Sequence, residues 1–214
     1  MGWSAKCGCS HTKAIFKFLN TGKFTKNAHT KDTYNNLPNI ILSEYTCILV
    51  VRNPYKRLVS GFMDKYQPDG EFRARWPGKL TFAVFAEALI KSDWDRVDRH
   101  HFTPQTSEAF DEKRLSSCKV RKVYDISDID YKFLEKVFGK KIPDEVRSFR
   151  GSHIRKVKGV NFNGKVHNIP IGEYVDKDVK PRQFYNEKIS KQIAKFYKND
   201  FAFFESHGIH YTPP

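Results

Sequence analysis

One apolar segment constrains the fold of this chain more than any other. Residues Tyr45–Arg52 read YTCILVVR, an almost continuous run of β-branched and other apolar side chains. Such a run is typical of a parallel β-strand that is covered on both faces. Asn53 and Pro54 follow directly, and proline favours the first turn of a helix. Leu58 and Phe62 then lie at helical spacing, so the sequence predicts a buried strand that leads into a helix.

The same order of strand and helix recurs along the chain. The other predicted strands are Gly2–Ala5 and Lys119–Ile126, and the other predicted helices are Thr12–Leu19, Thr81–Ile90, Asp130–Phe138 and Gln183–Phe204. Alternation of this kind implies an α/β fold with a parallel sheet. The 214 residues are enough for one domain but not for two full ones, so we predict a single domain over residues 1–214.

Charge points to the kind of partner. The chain carries 38 Lys and Arg residues against 24 Asp and Glu residues, a net charge of +14. This excess predicts an anionic partner: a nucleic acid, a nucleotide, an acidic glycan or a membrane surface. No apolar run approaches the roughly 20 residues of a membrane span, and the first residues do not resemble a signal peptide. We therefore expect a soluble chain.

The four cysteines are Cys7, Cys9, Cys47 and Cys118. A domain of this size, with 39% hydrophobic residues, does not need disulfides for stability, so we expect reduced thiols. Cys7 and Cys9 lie close to His11, but no second ligand cluster follows at zinc-finger spacing. We therefore expect no metal site.

The first motif, AKCGCSHTK, covers Ala5–Lys13. A predicted strand ends there, a glycine permits a tight turn, hydroxyl residues follow, and a helix begins. Such a turn directs backbone N–H groups and a helix N-terminus at one point, which suits a phosphate or sulfate group. Lys6 and Lys13 add positive charge. The pattern lacks the G-K-[ST] ending of an ATP-binding P-loop, so a Mg²⁺-ATP site is disfavoured.

The second motif, VRNPYKRLVSGF, covers Val51–Phe62. Arg52 leaves the predicted strand at its carboxyl end, where α/β sheets bind ligands. Ser60 follows about two helical turns along the next helix. A guanidinium group and a hydroxyl group at these places can both donate hydrogen bonds to one phosphate. Alternatively, Arg52 caps a helix or pairs with a carboxylate.

Together, the two motifs resemble the 5′-phosphosulfate and 3′-phosphate motifs of sulfotransferases, most closely the Golgi-type carbohydrate sulfotransferases and their microbial and viral relatives. Three later stretches are similar to the family in the same order: DRHHFTPQ, KVYDISDIDYKFLEKVFG and IAKFYKNDFAFFESHGIHY. The chain departs from the family at His11, where relatives often carry Trp or Asn, and at Ala5, which replaces the usual Pro. The resemblance implies a P-loop-like parallel sheet flanked by helices, the sulfotransferase fold.

The resemblance also implies the sulfuryl donor and its site. The donor would be 3′-phosphoadenosine 5′-phosphosulfate (PAPS), and no metal would be required. Lys6 would act in catalysis and bind PAPS, Arg52 and Ser60 would bind its 3′-phosphate, and Tyr124 would contact adenine. The 5′-phosphosulfate would be held by the remaining residues of the first motif: Cys7, Gly8, Cys9, Ser10, His11, Thr12 and Lys13.

An acceptor hydroxyl must lose a proton, and His is the usual base near neutral pH. His101 matches the family's segment, and its neighbour His100 stays an alternative; Glu87 and Asp98 are backup bases. We expect the acceptor to be a glycan, or another molecule that bears a hydroxyl group, and to be acidic. The predicted acceptor contacts are Arg73, Arg99, His100 and Gln105.

Three other functions stay open: a P-loop kinase-like enzyme, a nucleic-acid-binding protein, and a non-catalytic protein of the sulfotransferase fold that binds a nucleotide or polyanion. No zinc-finger or RNA-binding signature favours nucleic acid, and we predict none as partner. We expect a cytoplasmic protein if the source is microbial or viral, and a Golgi lumenal one if the chain is excised from an anchored enzyme. The oligomeric state is not predicted.

Overall fold

The computed structural model describes residues 1–27, 44, 46–107, 117–149 and 161–214. The chain divides into two compact units. The first unit comprises Met1–Arg52 and Gln105–Ile154, and the second comprises Asn53–Pro104 and Arg155–Pro214. A single domain over residues 1–214 stays a prediction.

The first unit contains a three-stranded parallel sheet in the order β1-β2-β3. Its strands are β1 (Gly2–Trp3), β2 (Thr46–Val51) and β3 (Val120–Asp125). Gly2 pairs with Leu49, and Val50 pairs with Tyr124. The prediction of an α/β fold with a parallel sheet is confirmed, although Tyr45, the first residue of the predicted central strand, lies outside the described residues.

The helices of the first unit share one core with the sheet. They are α1 (Cys9–Thr21), α5 (Tyr131–Phe138) and α6 (Asp144–Ser148). The buried members of this core are Ile15, Leu19, Ile48, Val50, Ile129, Leu134, Ile142 and Val146. Helix α1 begins at Cys9, three residues before the predicted start, because Gly8 adopts a left-handed conformation and ends the preceding turn there.

The second unit is built from helices around an aromatic core. The helices are α2 (Pro54–Lys65), α3 (Phe82–Ile90), α4 (Arg99–Phe102), α7 (Glu187–Phe196) and α8 (Lys198–Glu205). The aromatic side chains of this core that are less than 2% exposed are Phe62, Tyr66, Phe82, Phe85, Phe102, Tyr174, Phe184, Tyr185 and Tyr197. In the described part of the chain, every helix is too short or too polar to cross a membrane.

The prediction of one long helix over Gln183–Phe204 is wrong in two ways. The helical segment begins at α7, because the Asn186 side chain accepts a hydrogen bond from Ile189 N–H and caps the helix there. It is also interrupted at Tyr197, which separates α7 from α8. Tyr197 is buried and its hydroxyl donates to the carbonyl oxygen of Phe102 (2.7 Å), a tertiary bond that apolar spacing does not encode.

The expectation of four reduced cysteines is also wrong. Cys47 lies on β2, and Cys118 lies two residues before β3, in the segment that leads into this strand. Parallel pairing of β2 with β3 brings the Cα atoms of Cys47 and Cys118 to a distance of 6.2 Å, and the two residues form a disulfide. Cys7 and Cys9 are free thiols. The need for stability does not decide whether a disulfide forms here; strand pairing decides which thiols meet.

We predict that two of the four cysteines are protected from thiol reagents in protein made under oxidising conditions. Titration with Ellman's reagent after denaturation should count two thiols without reductant and four after reduction, and peptide mapping should link Cys47 to Cys118. Reduction should lower the free energy of unfolding by about 2–4 kcal/mol, because the bond closes a long loop of the unfolded chain. Four reactive thiols before reduction would contradict the pairing.

Candidate functional site

The turn between β1 and α1 has an unusual backbone. Lys6 and Gly8 both have positive φ angles, 62° and 65°, in the left-handed region that favours glycine. A Cβ atom at Gly8 would lie 2.5 Å from Cδ1 of Ile126, so only glycine fits there. Lys6 carries a side chain in this conformation, a strain that is commonly found at functional sites. The first motif therefore forms a tight loop rather than an ordinary strand–helix connection.

Helix α1 begins differently from four other helices of at least eight residues; α8, which follows α7 at Tyr197, also lacks a side-chain cap. Asn53, Thr81, Asp130 and Asn186 cap α2, α3, α5 and α7 with a side-chain oxygen, whereas Gly8 has no side chain with which to cap α1. The first turn of α1 contains no acidic residue. The positive end of the helix dipole is therefore not balanced by a carboxylate of that turn, and an anion would be stabilised there.

The first turn of α1 contains buried polar groups. Thr12 is completely buried, and among the described residues its hydroxyl has no hydrogen-bond partner. Lys13 is 3% exposed. His11 Nε2 lies 2.9 Å from the hydroxyl of Tyr131. An unpaired buried hydroxyl and a buried ammonium group suit a site for an anionic group with hydrogen-bond acceptors.

Gln105 connects this loop to the end of β2. Its Nε2 donates to the carbonyl oxygen of Arg52 (2.8 Å), and its Oε1 accepts from Arg52 N–H (3.1 Å). The same oxygen accepts from the thiol of Cys7 (2.7 Å). Gln105 is 1% exposed, so these bonds form away from solvent. The amide satisfies both backbone groups of Arg52 just beyond the last strand residue.

Arg52 in turn reaches the loop. Its Nη1 donates to the carbonyl oxygen of Lys6 (2.9 Å), the residue with the left-handed backbone. Lys6, Cys7, Arg52 and Gln105 thereby form a closed ring of covalent and hydrogen bonds, which we call the Gln105 ring. Gln105 is one of the acceptor contacts predicted from the sequence; its amide bonds to Arg52 and Cys7, and a contact with the acceptor stays a prediction. No local signal reveals this role, because the partners are distant in sequence.

Two candidate metal ligands near α1 have other partners. Cys7 bonds to Gln105, and His11 bonds to Tyr131. Across the described residues, no three His, Cys, Asp or Glu side chains form a group suited to a metal ion. The expectation of metal-free chemistry stays a prediction.

The second unit contains the predicted base. His101 lies on the short helix α4. Its Nδ1 is 2.5 Å from Asp98 Oδ2, and the two side chains are 16% and 14% exposed. Burial lowers the pKa of His101, and the hydrogen bond and charge of Asp98 partly oppose this effect. The spacing Asp-x-x-His, in which the Asp also caps the helix, is the signal that could have identified this pair.

Helix α4 is held in place at both ends. Asp98 N–H donates to the hydroxyl of Tyr66 (2.8 Å), which donates to the carbonyl oxygen of Arg96 (3.1 Å). At the other end, Arg57 Nη1 donates to the carbonyl oxygen of Thr103 (2.8 Å). A Cβ atom at Gly61 would lie 2.6 Å from the ring of Phe102, so Phe102 packs directly on α2. The position of His101 is therefore set by several independent contacts.

The other predicted site residues differ in environment. His100 and Arg99 are exposed, whereas the guanidinium group of Arg73 donates to the carbonyl oxygens of Trp76 and Gly78. Ser60 is half-buried on α2, and Tyr124 lies partly buried on β3, where burial raises its pKa. Cys9 and Ser10 are half-buried in the first turn of α1. Glu87, a backup base, is exposed and paired with Lys91 (2.7 Å).

The structure thus brings predicted residues together within each unit. The first unit joins the loop residues Lys6–Lys13 to Arg52 and Gln105, and the second unit joins Asp98 to His101.

We predict that Gln105→Leu destabilises the protein, because it leaves the N–H and the carbonyl of Arg52 without their buried partner. The free energy of unfolding should fall by about 3 kcal/mol in urea titrations followed by circular dichroism. Gln192→Leu, an exposed change on α7, should have an effect within about 0.5 kcal/mol. The thiol of Cys7 should also react faster with iodoacetamide in the Gln105 variant. Equal stability of the two variants would contradict this role for Gln105.

Comparison with known proteins gives one match. Residues 5–206 match the model of the sulfotransferase family. No curated protein and no solved structure shows significant similarity to the chain. The matched range includes the loop before α1, the Gln105 ring and the Asp98–His101 pair. The chain therefore belongs to the sulfotransferase family.

Proposed function

We propose that this protein transfers the sulfuryl group of PAPS to a hydroxyl group of a carbohydrate. Membership of the sulfotransferase family supports sulfuryl transfer in general. The observation that carries the choice of donor is the loop before α1: a left-handed Lys6, an obligatory Gly8 and a helix start without a side-chain cap. These features favour an anionic group such as a phosphate or sulfate at that point, in a P-loop-like arrangement.

The residues of the loop fit the phosphosulfate of such a donor. Backbone N–H groups from Gly8 to His11 and the hydroxyls of Ser10 and Thr12 would donate hydrogen bonds to its oxygens, and Lys13 would balance its charge. The N–H groups of Cys7 and Thr12, at the ends of this stretch, instead donate to the carbonyl oxygens of Ser4 (3.2 Å) and Gly8 (2.9 Å). Thr12 supports this assignment, because its buried hydroxyl has no partner in the described part of the chain and an unpaired buried donor is costly. Arg52 and Ser60 would bind the 3′-phosphate, and Tyr124 would contact the adenine.

PAPS supplies an activated sulfuryl group and leaves as 3′-phosphoadenosine 5′-phosphate. Within the protein, Lys6 would stabilise the negative charge that develops on the departing oxygen; a preorganised donor of this kind contributes about 3–4 kcal/mol. The Gln105 ring would keep the backbone of Lys6 in the position required for this role, because Arg52 bonds to the carbonyl oxygen of Lys6. Positioning and charge stabilisation dominate transfer reactions of this type.

His101 would be the general base. Its burial and the pairing with Asp98 distinguish it from the exposed His100, the alternative left open by sequence. Since burial lowers its pKa, the neutral form that accepts a proton is present at neutral pH. Turnover should therefore fall only when the pH drops below the ordinary pKa of histidine, about 6.5.

An acidic polysaccharide is the proposed acceptor class. The net charge of +14 supports an acidic molecule, and Arg99 and His100 are exposed on α4, next to His101 in sequence. Arg73 and Gln105, whose polar groups bond to the protein, would act by shaping the protein rather than by direct contact. The Cys47–Cys118 disulfide favours an oxidising compartment, and hence the lumenal alternative over the cytoplasmic one.

We predict that the protein binds 3′-phosphoadenosine 5′-phosphate tightly and discriminates against AMP and ATP, which lack the 3′-phosphate. In isothermal titration, Arg52→Ala should weaken binding by about 100-fold, or about 2.7 kcal/mol. Lys6→Ala should weaken it much less while lowering turnover by about 100-fold or more.

The exposed change Lys23→Ala is the control and should alter neither quantity. Equal binding of the three nucleotides would overturn the proposed donor. A non-catalytic protein of this fold would bind the bisphosphate but release none of it from PAPS in the presence of any acceptor.

We predict that His101→Ala lowers kcat by about 100-fold or more, with unchanged affinity for the bisphosphate, because it removes the proton acceptor. The matched variant His100→Ala should lose much less. Release of the bisphosphate from PAPS would be followed by chromatography, with chondroitin and heparosan as trial acceptors. Normal turnover of the His101 variant would exclude this residue as the base.

A further inference from the structure

The Asp98–His101 pair is more elaborate than a helix cap requires. We propose that Asp98 is a positioning residue for His101: its carboxylate holds the ring with Nδ1 protonated and leaves Nε2 to accept the proton of the acceptor hydroxyl. This inference deepens the proposed function and rests on its assignment of His101 as the base.

A single oxygen of Asp98 makes both contacts with His101. Oδ2 accepts from the backbone N–H (2.8 Å) and lies 2.5 Å from Nδ1 of the ring. The first bond fixes where α4 begins, and the second fixes the rotation of the imidazole. An ionised carboxylate has no proton to donate and acts only as an acceptor. Nδ1 must therefore carry the proton of this hydrogen bond, and the lone pair of the neutral ring lies on Nε2.

The backbone of Asp98 is itself held from the other side. The hydroxyl of Tyr66 accepts from Asp98 N–H and donates to the carbonyl oxygen of Arg96. Burial raises the pKa of Tyr66 to about 12, so this hydroxyl keeps its proton at any working pH. A cap needs only the bond to the helix backbone. The added restraint on Asp98 is what a group that orients a ring requires.

The charged groups around His101 have opposite effects on its pKa, and Asp98 raises it. Lys65 on α2 and His100 on α4 both act to lower the pKa of His101, as does burial. Lys65 is paired with Glu71 (2.5 Å), and Phe72 packs near the imidazole, with ring centroids 6.1 Å apart. Among the described residues, Asp98 supplies the carboxylate that raises the pKa of His101. It would therefore keep His101 basic enough to accept a proton.

The proton balance of the step follows from this geometry. The acceptor hydroxyl gives its proton to Nε2 as its oxygen bonds to sulfur and the bond between sulfur and the departing oxygen breaks. His101 is then an imidazolium whose Nδ1–H still donates to Asp98, and the attraction between the two charges stabilises it. Asp98 stays ionised throughout, and His101 afterwards releases its proton to solvent.

The test is Asp98→Asn, because asparagine caps helices as well as aspartate does but carries no charge. Asp130→Asn is the matched control, since Asp130 caps α5 in the same way and accepts from Phe133 N–H (2.9 Å). Protein labelled with ¹⁵N-histidine would report the tautomer and the titration of His101, assigned with His101→Ala. The titration of His101 would be measured for each variant. The pH dependence of kcat would be measured with whichever of the two trial polysaccharides is the better acceptor.

We expect Asp98→Asn to bind the bisphosphate normally, to lower kcat by about 10- to 100-fold, and to move the titration of His101 and the acidic limb of kcat to lower pH. Asp130→Asn should change none of these. A wild-type titration and kcat in Asp98→Asn would show that Asp98 is only a cap, and would overturn the inference. Normal turnover in His101→Ala would overturn the inference together with the assigned base, and weak bisphosphate binding by the wild-type protein would instead locate the failure in the proposed function.

Discussion

The hydrogen bonds between Gln105 and the backbone of Arg52 are the interaction on which the first unit's site depends. A buried strand must satisfy its backbone groups even where the sheet ends, and here one side-chain amide satisfies both groups of Arg52. Arg52 can then hold the carbonyl of Lys6 while Gln105 also holds the thiol of Cys7. The strained loop before α1 is thus maintained by a residue far along the chain, which compensates for the cost of its left-handed backbone.

The second unit uses a similar principle on a smaller scale. A helix of four residues such as α4 has little stability of its own. It is ordered by Asp98 at its start, by Tyr197 and Arg57 at its end, and by the packing of Phe102 on Gly61. In each unit, side chains bond to backbone groups, and a further bond joins two side chains: Cys7 with Gln105 in the first unit and His101 with Asp98 in the second. Both kinds of bond restrain the functional residues.

Much of the fold and part of the candidate site could be predicted from local patterns. The central strand, the helix that starts at Pro54 and the glycine turn before α1 are each specified by residues that adjoin one another. The predictions that were wrong depended on distant partners. Tyr197, at which the terminal helical segment is interrupted, bonds to Phe102, and Cys47 meets Cys118 only because β2 and β3 pair.

Local patterns along the chain are sufficient to establish the α/β class, the order of the motifs and the chemical groups available at each one. These properties follow from hydrophobic periodicity, from the conformational freedom of glycine and from the functional groups themselves, all of which are local. The packing of distant segments is needed to establish that the amide of Gln105 bonds to Arg52, that His101 lies on a helix beside a carboxylate, and that His100 is exposed. Burial and hydrogen-bond partners are set by chain segments far apart in sequence, and no local pattern carries that information.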